Sequence, residues 1–214
     1  MILSVVRFVT SLQAVDRRPW LIVGKGPSVD NIGQVKLDDY HIVTLNHACN
    51  IVKPTIAHFV DIEALQKCTV RLSSPAICEH ETHICMPWRP HRGFKATRVT
   101  LEEWAEKSSV TPALRRFSAC SLLSYNASTD RFPKNSKLPA ICLRYFSATA
   151  AFNFLIAAGI TKIYSIGVDG GTDYAKCFDK STKLANGRSS FDVQMPEIEA
   201  AIKFKQCKWI RLGV

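Results

Sequence analysis

The feature that most constrains the fold is a short apolar run that ends in a glycine-rich turn, at residues 21–28 (LIVGKGPS). Apolar residues of strand character followed by two glycines are typical of a parallel β-strand that leads into a phosphate-binding turn. Glycine lets the main chain approach a ligand closely, and Pro27 fixes the direction in which the chain leaves. The turn is not a dinucleotide fingerprint, because Val29 occupies the third glycine position, and no Gly-Lys-Ser/Thr follows to make it a Walker A loop.

Strands and helices alternate along the rest of the chain. Apolar runs predict strands at 20–23, 41–45, 55–60, 82–86, 121–125, 162–166 and 208–212, and helices are predicted at 100–107, 147–158 and 196–205. Residues 1–18 fit either a short helix or an additional strand. We therefore predict an α/β fold: one Rossmann-like domain over residues 1–214, with a mostly parallel sheet flanked by helices and a basic, lid-like insert at about 87–140.

Polar residues follow several of these strands at their carboxyl ends. Asn46 and Asp61 each follow a strand directly, and Asp169-Gly170 follows a second glycine-rich strand end. Ser147 is the predicted N-cap of the alanine-rich helix. Since open parallel sheets bind ligands beyond the carboxyl ends of their strands, these residues predict a nucleotide or nucleotide-sugar site. The alternative is that the glycines only form turns and the polar residues only cap helices.

The charge balance predicts an anionic partner. The formal net charge is +10, from 28 basic and 18 acidic residues, which suits a nucleotide, a phosphorylated glycan, a nucleic acid or a membrane surface. Between Trp88 and Arg144 eleven basic residues stand against four acidic ones. We predict an exposed basic and aromatic loop at 88–92, and a solvated basic face is the alternative. Candidate acceptor-binding or polyanion-binding residues are Trp88, Arg89, Arg92, Lys95 and Arg98.

The cysteines and the apolar segments bear on location and on metal binding. Eight cysteines fall mostly inside apolar runs without a recurring paired spacing, so we predict reduced thiols and a cytoplasmic protein. Cys78, His80, His83 and Cys85 are crowded into eight residues, too close together for the usual zinc site, and no metal is predicted. The sequence contains no run of about 18 apolar residues, so no transmembrane span is predicted. The sequence also contains no G-x-S-x-G motif, which would indicate a serine nucleophile.

Four segments resemble motifs of the family 42 bacterial sialyltransferases and of the related motility-associated-factor-like proteins. Residues 23–28 (VGKGPS) resemble their G-N-G-P-S turn, and residues 45–47 (LNH) resemble their C-N-Q segment. Residues 144–147 (RYFS) resemble their R-x-x-S, and residues 163–169 (IYSIGVD) resemble their I-Y-L-S-G-I-D. The order and spacing of the motifs match over roughly residues 20–212.

The resemblance implies a Rossmann-like glycosyltransferase that uses a nucleotide-activated sugar, often CMP-linked, without an essential metal or other cofactor. It implies that the glycine turn lines the phosphate and ribose end of the donor, with Asn46 near the sugar or phosphate, Arg144 and Ser147 near the sugar, and Asp169 at the nucleoside. Tyr174 is the nearest equivalent of the family's tyrosines at the leaving phosphate. The expected donor-binding set is Gly24, Lys25, Gly26, Pro27, Ser28, Asn46, Asp61, Arg144, Ser147, Asp169, Gly170 and Tyr174.

Two departures from the family's motifs affect the chemistry. Lys25 replaces the asparagine of the first turn, and its ammonium suits a phosphate. The family's general-base histidine lies between the Gly-Asp strand and the last helix, and this chain has no histidine after His91. Alignment of the last helix places Asp192 near that position, so Asp192 is the first candidate for the catalytic base and Asp173 the second.

These observations predict a nucleotide-sugar-dependent glycosyltransferase with a CMP- or UDP-linked donor. The acceptor is either a glycan or a hydroxymethylated base in DNA, as in a phage-type DNA-modifying enzyme, since the basic middle segment suits a polyanion. Two alternatives stay open. One is a non-catalytic nucleic-acid-binding protein on a Rossmann-like scaffold, and the other is a Mg²⁺-dependent pyrophosphokinase.

Overall fold

A nine-stranded sheet forms the centre of the fold, and every pairing within it is parallel. The computed structural model describes residues 2–73, 82–93, 95–108, 121–144, 146–178 and 190–214. The described strands are β1 (Ile2–Ser4), β2 (Trp20–Val23), β3 (His41–Leu45), β4 (Ile56–His58), β5 (His83–Pro87), β6 (His91–Arg92), β7 (Lys95–Ala96), β8 (Leu122–Ala127), β9 (Ala140–Ile141), β10 (Lys162–Ile166) and β11 (Lys208–Arg211). Strands β6 and β7 form a separate antiparallel hairpin.

The strand order places a topological switch point beside β2. The order across the sheet is β1-β8-β5-β4-β3-β2-β10-β11, with β9 paired to the end of β8. From β2 the chain first builds the sheet in one direction through β3, β4 and β5, and later resumes on the other side of β2 with β10. The connection that leaves β2 therefore runs toward β3, and the connection that leaves β10 runs the opposite way, toward β11. Sheets of this kind bind ligands beyond the carboxyl ends of their strands at such a switch point.

Five α-helices in the described part of the chain cover the two faces of the sheet. They are α1 (Val5–Val15), α2 (Ile62–Leu72), α3 (Leu101–Lys107), α4 (Ser147–Ala157) and α5 (Met195–Phe204). A capping box starts α3, because the Thr100 side chain accepts from the Glu103 N–H and the Glu103 carboxylate accepts from the Thr100 N–H. Gly159, with a φ of +86°, follows the last turn of α4. Short 3₁₀ segments occupy Pro27–Gln34, Leu37–Asp39, Asn46–Asn50 and Phe191–Gln194.

Alternate residues of the strands supply separate cores on the two faces of the sheet. In β4, Ile56 belongs to the core under α1, α4 and α5, whereas Ala57 belongs to the core under α2 and α3. The second face continues beside β2, where Leu21 and Val23 pack against Val29 of the first 3₁₀ segment. All four residues of β2 are buried, as expected for a strand covered on both faces.

The predicted α/β fold with a mostly parallel sheet flanked by helices is confirmed. The undecided N-terminal segment forms both elements, since β1 is followed at once by α1. The strand β8 lies inside the stretch 87–140 that we predicted as a lid-like insert, and it sits between β1 and β5. The predicted N-cap of α4 is displaced by one residue: Phe146 has the extended N-cap conformation, and Ser147 is the first helical residue. Among the described helices, none combines the length and apolar character needed to cross a membrane.

Candidate functional site

A cavity of about 560 Å³ lies along the carboxyl edge of the sheet. Its wall follows the strand ends from β8 through β4, β3 and β2 to β10, and the first turn of α4 closes one side. This volume is within the range of sites for small ligands and cofactors. The sequence-predicted residues that line it are Gly24, Lys25, Gly26, Asn46, Asp61, Arg144, Ser147, Asp169, Gly170, Asp173 and Tyr174. Pro27, Ser28 and Asp192 do not line it.

Two glycine turns, one after β2 and one after β10, pack directly against each other. The Gly24 N–H donates to the carbonyl of Ile166 at 2.8 Å, and the Gly26 N–H donates to the carbonyl of Gly167 at 2.9 Å. A Cβ atom on Gly24 would lie 2.1 Å from the Gly167 oxygen, so no side chain fits there. The glycine at this position is thus explained by turn-to-turn contact, whatever ligand the turn also meets.

Ser28 and Asp169 link the same two turns through their side chains. One Asp169 oxygen accepts from the Ser28 N–H and the other accepts from the Ser28 hydroxyl, each at 2.7 Å. The Ser28 hydroxyl oxygen in turn accepts from the Gly167 N–H at 2.7 Å. Ser28 therefore positions the turns from behind the cavity wall, and both oxygens of Asp169 are engaged by the protein.

Lys25 supplies a cation at the end of the cavity beside the glycine turns. It lies half-buried, with its Nζ 4.6 Å from the centre of the Tyr174 ring. Burial lowers the pKa of the Lys25 ammonium to about 8 and raises the pKa of the Tyr174 hydroxyl. The carbonyl of Lys25 accepts from the Ala175 N–H at 2.8 Å, which ties the first turn to the loop after β10. A desolvated ammonium at this position favours an anionic ligand.

Three aromatic rings form one wall near this cation. Phe191 contacts Tyr174 edge to face, with ring centres 5.3 Å apart, and it contacts Phe146 with ring centres 4.9 Å apart. All three residues line the cavity. Such surfaces stack on planar rings such as nucleobases.

Polar groups without a partner among the described residues also line the cavity. Asn46 has a φ of +52°, a conformation that few residues other than glycine adopt, and its Nδ2 lies 3.3 Å from the Ser147 hydroxyl. Its Oδ1 is buried without a partner in the described part of the chain, as is Oε1 of Gln194. Gln194 is only 5% exposed. Buried oxygens of this kind are positioned to accept hydrogen bonds from a ligand.

The far end of the cavity holds a histidine beside a carboxylate. His91 forms a parallel bridge with Asp61, and its ring Nε2 lies 3.6 Å from Oδ1 of Asp130. Thr129 lines the cavity from the same turn as Asp130 and donates to the carbonyl of Leu143 at 3.1 Å. This end combines a titratable pair with the apolar side chains of Val60 and Leu143.

The two carboxylates predicted as candidate bases differ in position. Asp173 lines the cavity and is exposed. Asp192 is exposed outside it, with Oδ2 accepting from the Ser190 hydroxyl at 2.6 Å and Oδ1 from the Gly171 N–H at 2.8 Å. These two hydrogen bonds lower the pKa of the Asp192 carboxyl. Arg144, at the cavity rim, pairs with Glu197 at 2.7 Å.

The predicted basic loop is not an exposed loop throughout, and none of its five candidate residues lines the cavity. Trp88 is half-buried against the core under α2 and α3. The Arg89 guanidinium donates to the carbonyls of Arg98 and Pro133 and lies over the Phe132 ring. Arg92, Lys95 and Arg98 are exposed, and Arg92 lies 3.8 Å from Glu63. The loop is held in place because its apolar and guanidinium groups find partners within the fold.

Sequence reasoning missed several lining residues, namely His91, Thr129, Phe146, Phe191 and Gln194. Each lies in a segment without strong periodicity. Only Phe146 has a local signal, because it lies within the R-x-x-S motif at residues 144–147. His91 lies in the stretch that Pro87, Pro90 and Gly93 predict as an exposed loop.

Within the described residues, no cluster of three or more His, Cys, Asp or Glu is arranged to hold a metal ion. Of the crowded Cys-His segment, Cys78 and His80 lie outside the described residues. His83 contacts the Ser121 hydroxyl at 2.5 Å, and Cys85 is buried in the core.

No protein-family model and no curated protein matches the chain. Among solved structures, a MAf glycosyltransferase from Magnetospirillum magneticum AMB-1 is similar, with a TM-score of 0.45 and 14% sequence identity. The similarity covers 78% of this chain, which spans only 25% of that protein.

Proposed function

We propose that this chain is a glycosyltransferase that moves a sugar from a CMP- or UDP-linked donor to a hydroxyl acceptor. The observation that carries the proposal is the cavity at the switch point between β2 and β10, with Lys25 and an aromatic wall at the same end. An ammonium for a phosphate and rings for a base are the two elements that a nucleotide needs.

In the proposed arrangement the donor phosphate lies between Lys25 and the N-terminus of α4. The first-turn N–H groups of an eleven-residue helix favour an anion, and Ser147 and Ala148 at that end line the cavity. Tyr174 and Lys25 stabilise the negative charge that develops on the departing phosphate. Asn46 and Gln194 accept hydrogen bonds from donor hydroxyl groups through their buried oxygens. Catalysis by this arrangement consists of positioning and electrostatic stabilisation.

A thermal-shift panel of CMP-, UDP-, GDP- and ADP-sugars tests the donor part of the proposal. Stabilisation by one class is expected, at a concentration well above its dissociation constant, because a ligand that binds the folded state alone raises its stability. Lys25→Gln should lose most of the shift, and Lys36→Gln, which removes an exposed lysine in a neighbouring segment, should keep it. Failure of every donor to stabilise the wild-type chain would refute the proposal.

The acceptor is proposed to be a glycan or a hydroxymethylated base in DNA, and reaction requires no metal. Incubation of the selected donor with oligosaccharides and with a duplex that contains hydroxymethylcytosine separates the two acceptors. The same incubation is then repeated with a chelator. Sugar transfer should continue, whereas a Mg²⁺-dependent pyrophosphate transfer would stop.

A further inference from the structure

His91 and Asp130 form a half-buried pair at the end of the cavity away from Lys25. Their side chains are 15% and 11% exposed, and Nε2 of His91 lies 3.6 Å from Oδ1 of Asp130. Nε2 is itself buried, with no hydrogen-bond partner among the described residues. Asp130 is therefore the group that this nitrogen faces. Nδ1 is left as the ring nitrogen that can meet a substrate in the cavity that His91 lines.

The strand order sets how far this pair lies from the cation. His91 bridges to Asp61 just beyond β4, whereas Lys25 follows β2, and β3 lies between these strands. Neighbouring strands are about 4.8 Å apart, so the strand ends that carry Asp61 and Lys25 are separated by roughly 10 Å along the sheet edge, and His91 lies beside Asp61. A sugar linked to a phosphate at Lys25 spans much of that distance. His91 is then on the acceptor side of the sugar.

We infer that His91 is the general base of the proposed transfer and that Asp130 is its positioning residue. This inference rests on the proposed function. The acceptor hydroxyl gives its proton to Nδ1 of His91 as its oxygen bonds to the anomeric carbon of the sugar. The bond between that carbon and the phosphate oxygen breaks, and its electron pair leaves with the nucleotide. Asp130 stabilises the imidazolium that results.

The candidate carboxylates are less suited to this step. Asp192 lies outside the cavity and already accepts two hydrogen bonds. Asp173 lines the cavity but is exposed and lies next to Tyr174, at the donor end. The His91 ring, in contrast, faces the half-buried Asp130 carboxylate at 3.6 Å, in a partly apolar corner of the cavity beside Val60.

The test compares His91→Gln, Asp130→Asn and Asp173→Asn in a turnover assay with the donor and acceptor selected above. His91→Gln should lower kcat by about 100-fold or more, the usual contribution of a general base, with the KM for the donor and the donor-induced thermal shift unchanged. Asp130→Asn should lower kcat by about 10-fold with the same KM. Imidazole added to His91→Ala should restore part of the turnover.

His41→Gln is the matched control. His41 is also close to a carboxylate, with its buried Nε2 3.5 Å from Oδ1 of the half-buried Asp16, but it lies at the amino end of β3, away from the cavity. It should lose stability without a comparable loss of kcat. The inference is overturned if His91→Gln keeps wild-type turnover, or if Asp173→Asn is the only variant that loses turnover. In either case a donor-induced thermal shift in the wild-type chain still supports the proposed function. Lack of any donor shift in the wild-type chain would overturn both.

Discussion

Lys25 illustrates how one residue adapts a common turn to a charged ligand. Its aliphatic stem and ammonium are half-buried beside the Tyr174 ring, and burial lowers the pKa of the ammonium to about 8. The free site is therefore able to lose its charge at a mildly alkaline pH. An anion bound next to Lys25 favours the charged form and raises this pKa.

This pKa shift predicts the pH dependence of nucleotide binding. Below pH 8 Lys25 is already protonated, so the affinity should be nearly constant. Above pH 8 each bound anion must bring a proton to Lys25, so the affinity should fall by up to about tenfold per pH unit. Isothermal titration of the best nucleotide between pH 7.5 and 9.5 measures this fall, together with proton uptake in buffers of different ionisation enthalpy.

Lys25→Gln supplies the control for that measurement. The variant should bind the same nucleotide more weakly, and its affinity should stay level over the alkaline range because no ammonium remains to be titrated. A wild-type affinity that stays level up to pH 9.5 would contradict the role given to Lys25.

At the scale of single elements, the paired turns after β2 and β10 decide where the cavity forms. Gly24 and Gly26 donate backbone hydrogen bonds across to the other turn, and Ser28 and Asp169 reinforce the contact with side chains. The two strands are neighbours in register, with Val23 opposite Ile166. The turns therefore fix each other as a single unit.

Gly24→Ala should break this unit. The added methyl group would lie 2.1 Å from the carbonyl oxygen of Gly167, a backbone atom that cannot move aside alone. Overpacking of this kind costs about 1–3 kcal/mol, measurable as a lower midpoint in urea unfolding. Gly33→Ala, in the segment that follows, is the matched control, because nothing lies within 4 Å of its added Cβ. Its free energy of unfolding should change by less than about 0.5 kcal/mol.

The strands were predictable because each carries its own signal. The segments at β2, β3 and β10 are short apolar runs bounded by turn residues, and their bounds match the predicted ones. The hairpin of β6 and β7 was not predictable, since each strand has two residues and β6 is placed by its bridge to Asp61. That contact depends on the position of β4 in the assembled sheet.

The candidate site, like the fold, was predictable only where a residue carries a local sequence signal. Its glycine turns and strand-end polar residues follow from local patterns. His91, Phe191 and Gln194 reach the cavity only because loops distant in sequence fold over the sheet edge. The catalytic roles of Asp192 and Asp173 stay predictions, as does the polyanion role of the basic loop.

At the scale of the whole molecule, the sheet interior contains a neutral histidine. His58 is fully buried, its Nε2 lies 2.9 Å from the Tyr125 hydroxyl, and the Phe154 ring packs against it edge to face. Burial lowers the pKa of His58 to about 3. The folded protein therefore keeps this ring uncharged under conditions in which the unfolded chain protonates it.

Stability should consequently fall in mild acid. Below about pH 6.5 the unfolded chain takes up a proton at His58 that the folded chain does not accept until about pH 3, so the free energy of unfolding declines as the pH falls. The expected slope is roughly 1 kcal/mol per pH unit, measured by urea unfolding between pH 6.5 and 5. His58→Gln should have a lower stability at neutral pH but a clearly smaller slope, and an unchanged slope would assign the acid sensitivity to other groups.

The position of β10 beside β2 also has a consequence for how the molecule assembles. The Ser28–Asp169 contact joins residues 141 positions apart in sequence. Until β10 is in place, β2 is an apolar edge strand with unpaired backbone groups, which is a template for aggregation. Pairing with β10 removes that edge and forms the cavity in the same event. Long-range parallel pairing of this kind is slow, so the chain should acquire the ability to bind nucleotide late in folding, at the moment when its most aggregation-prone edge disappears.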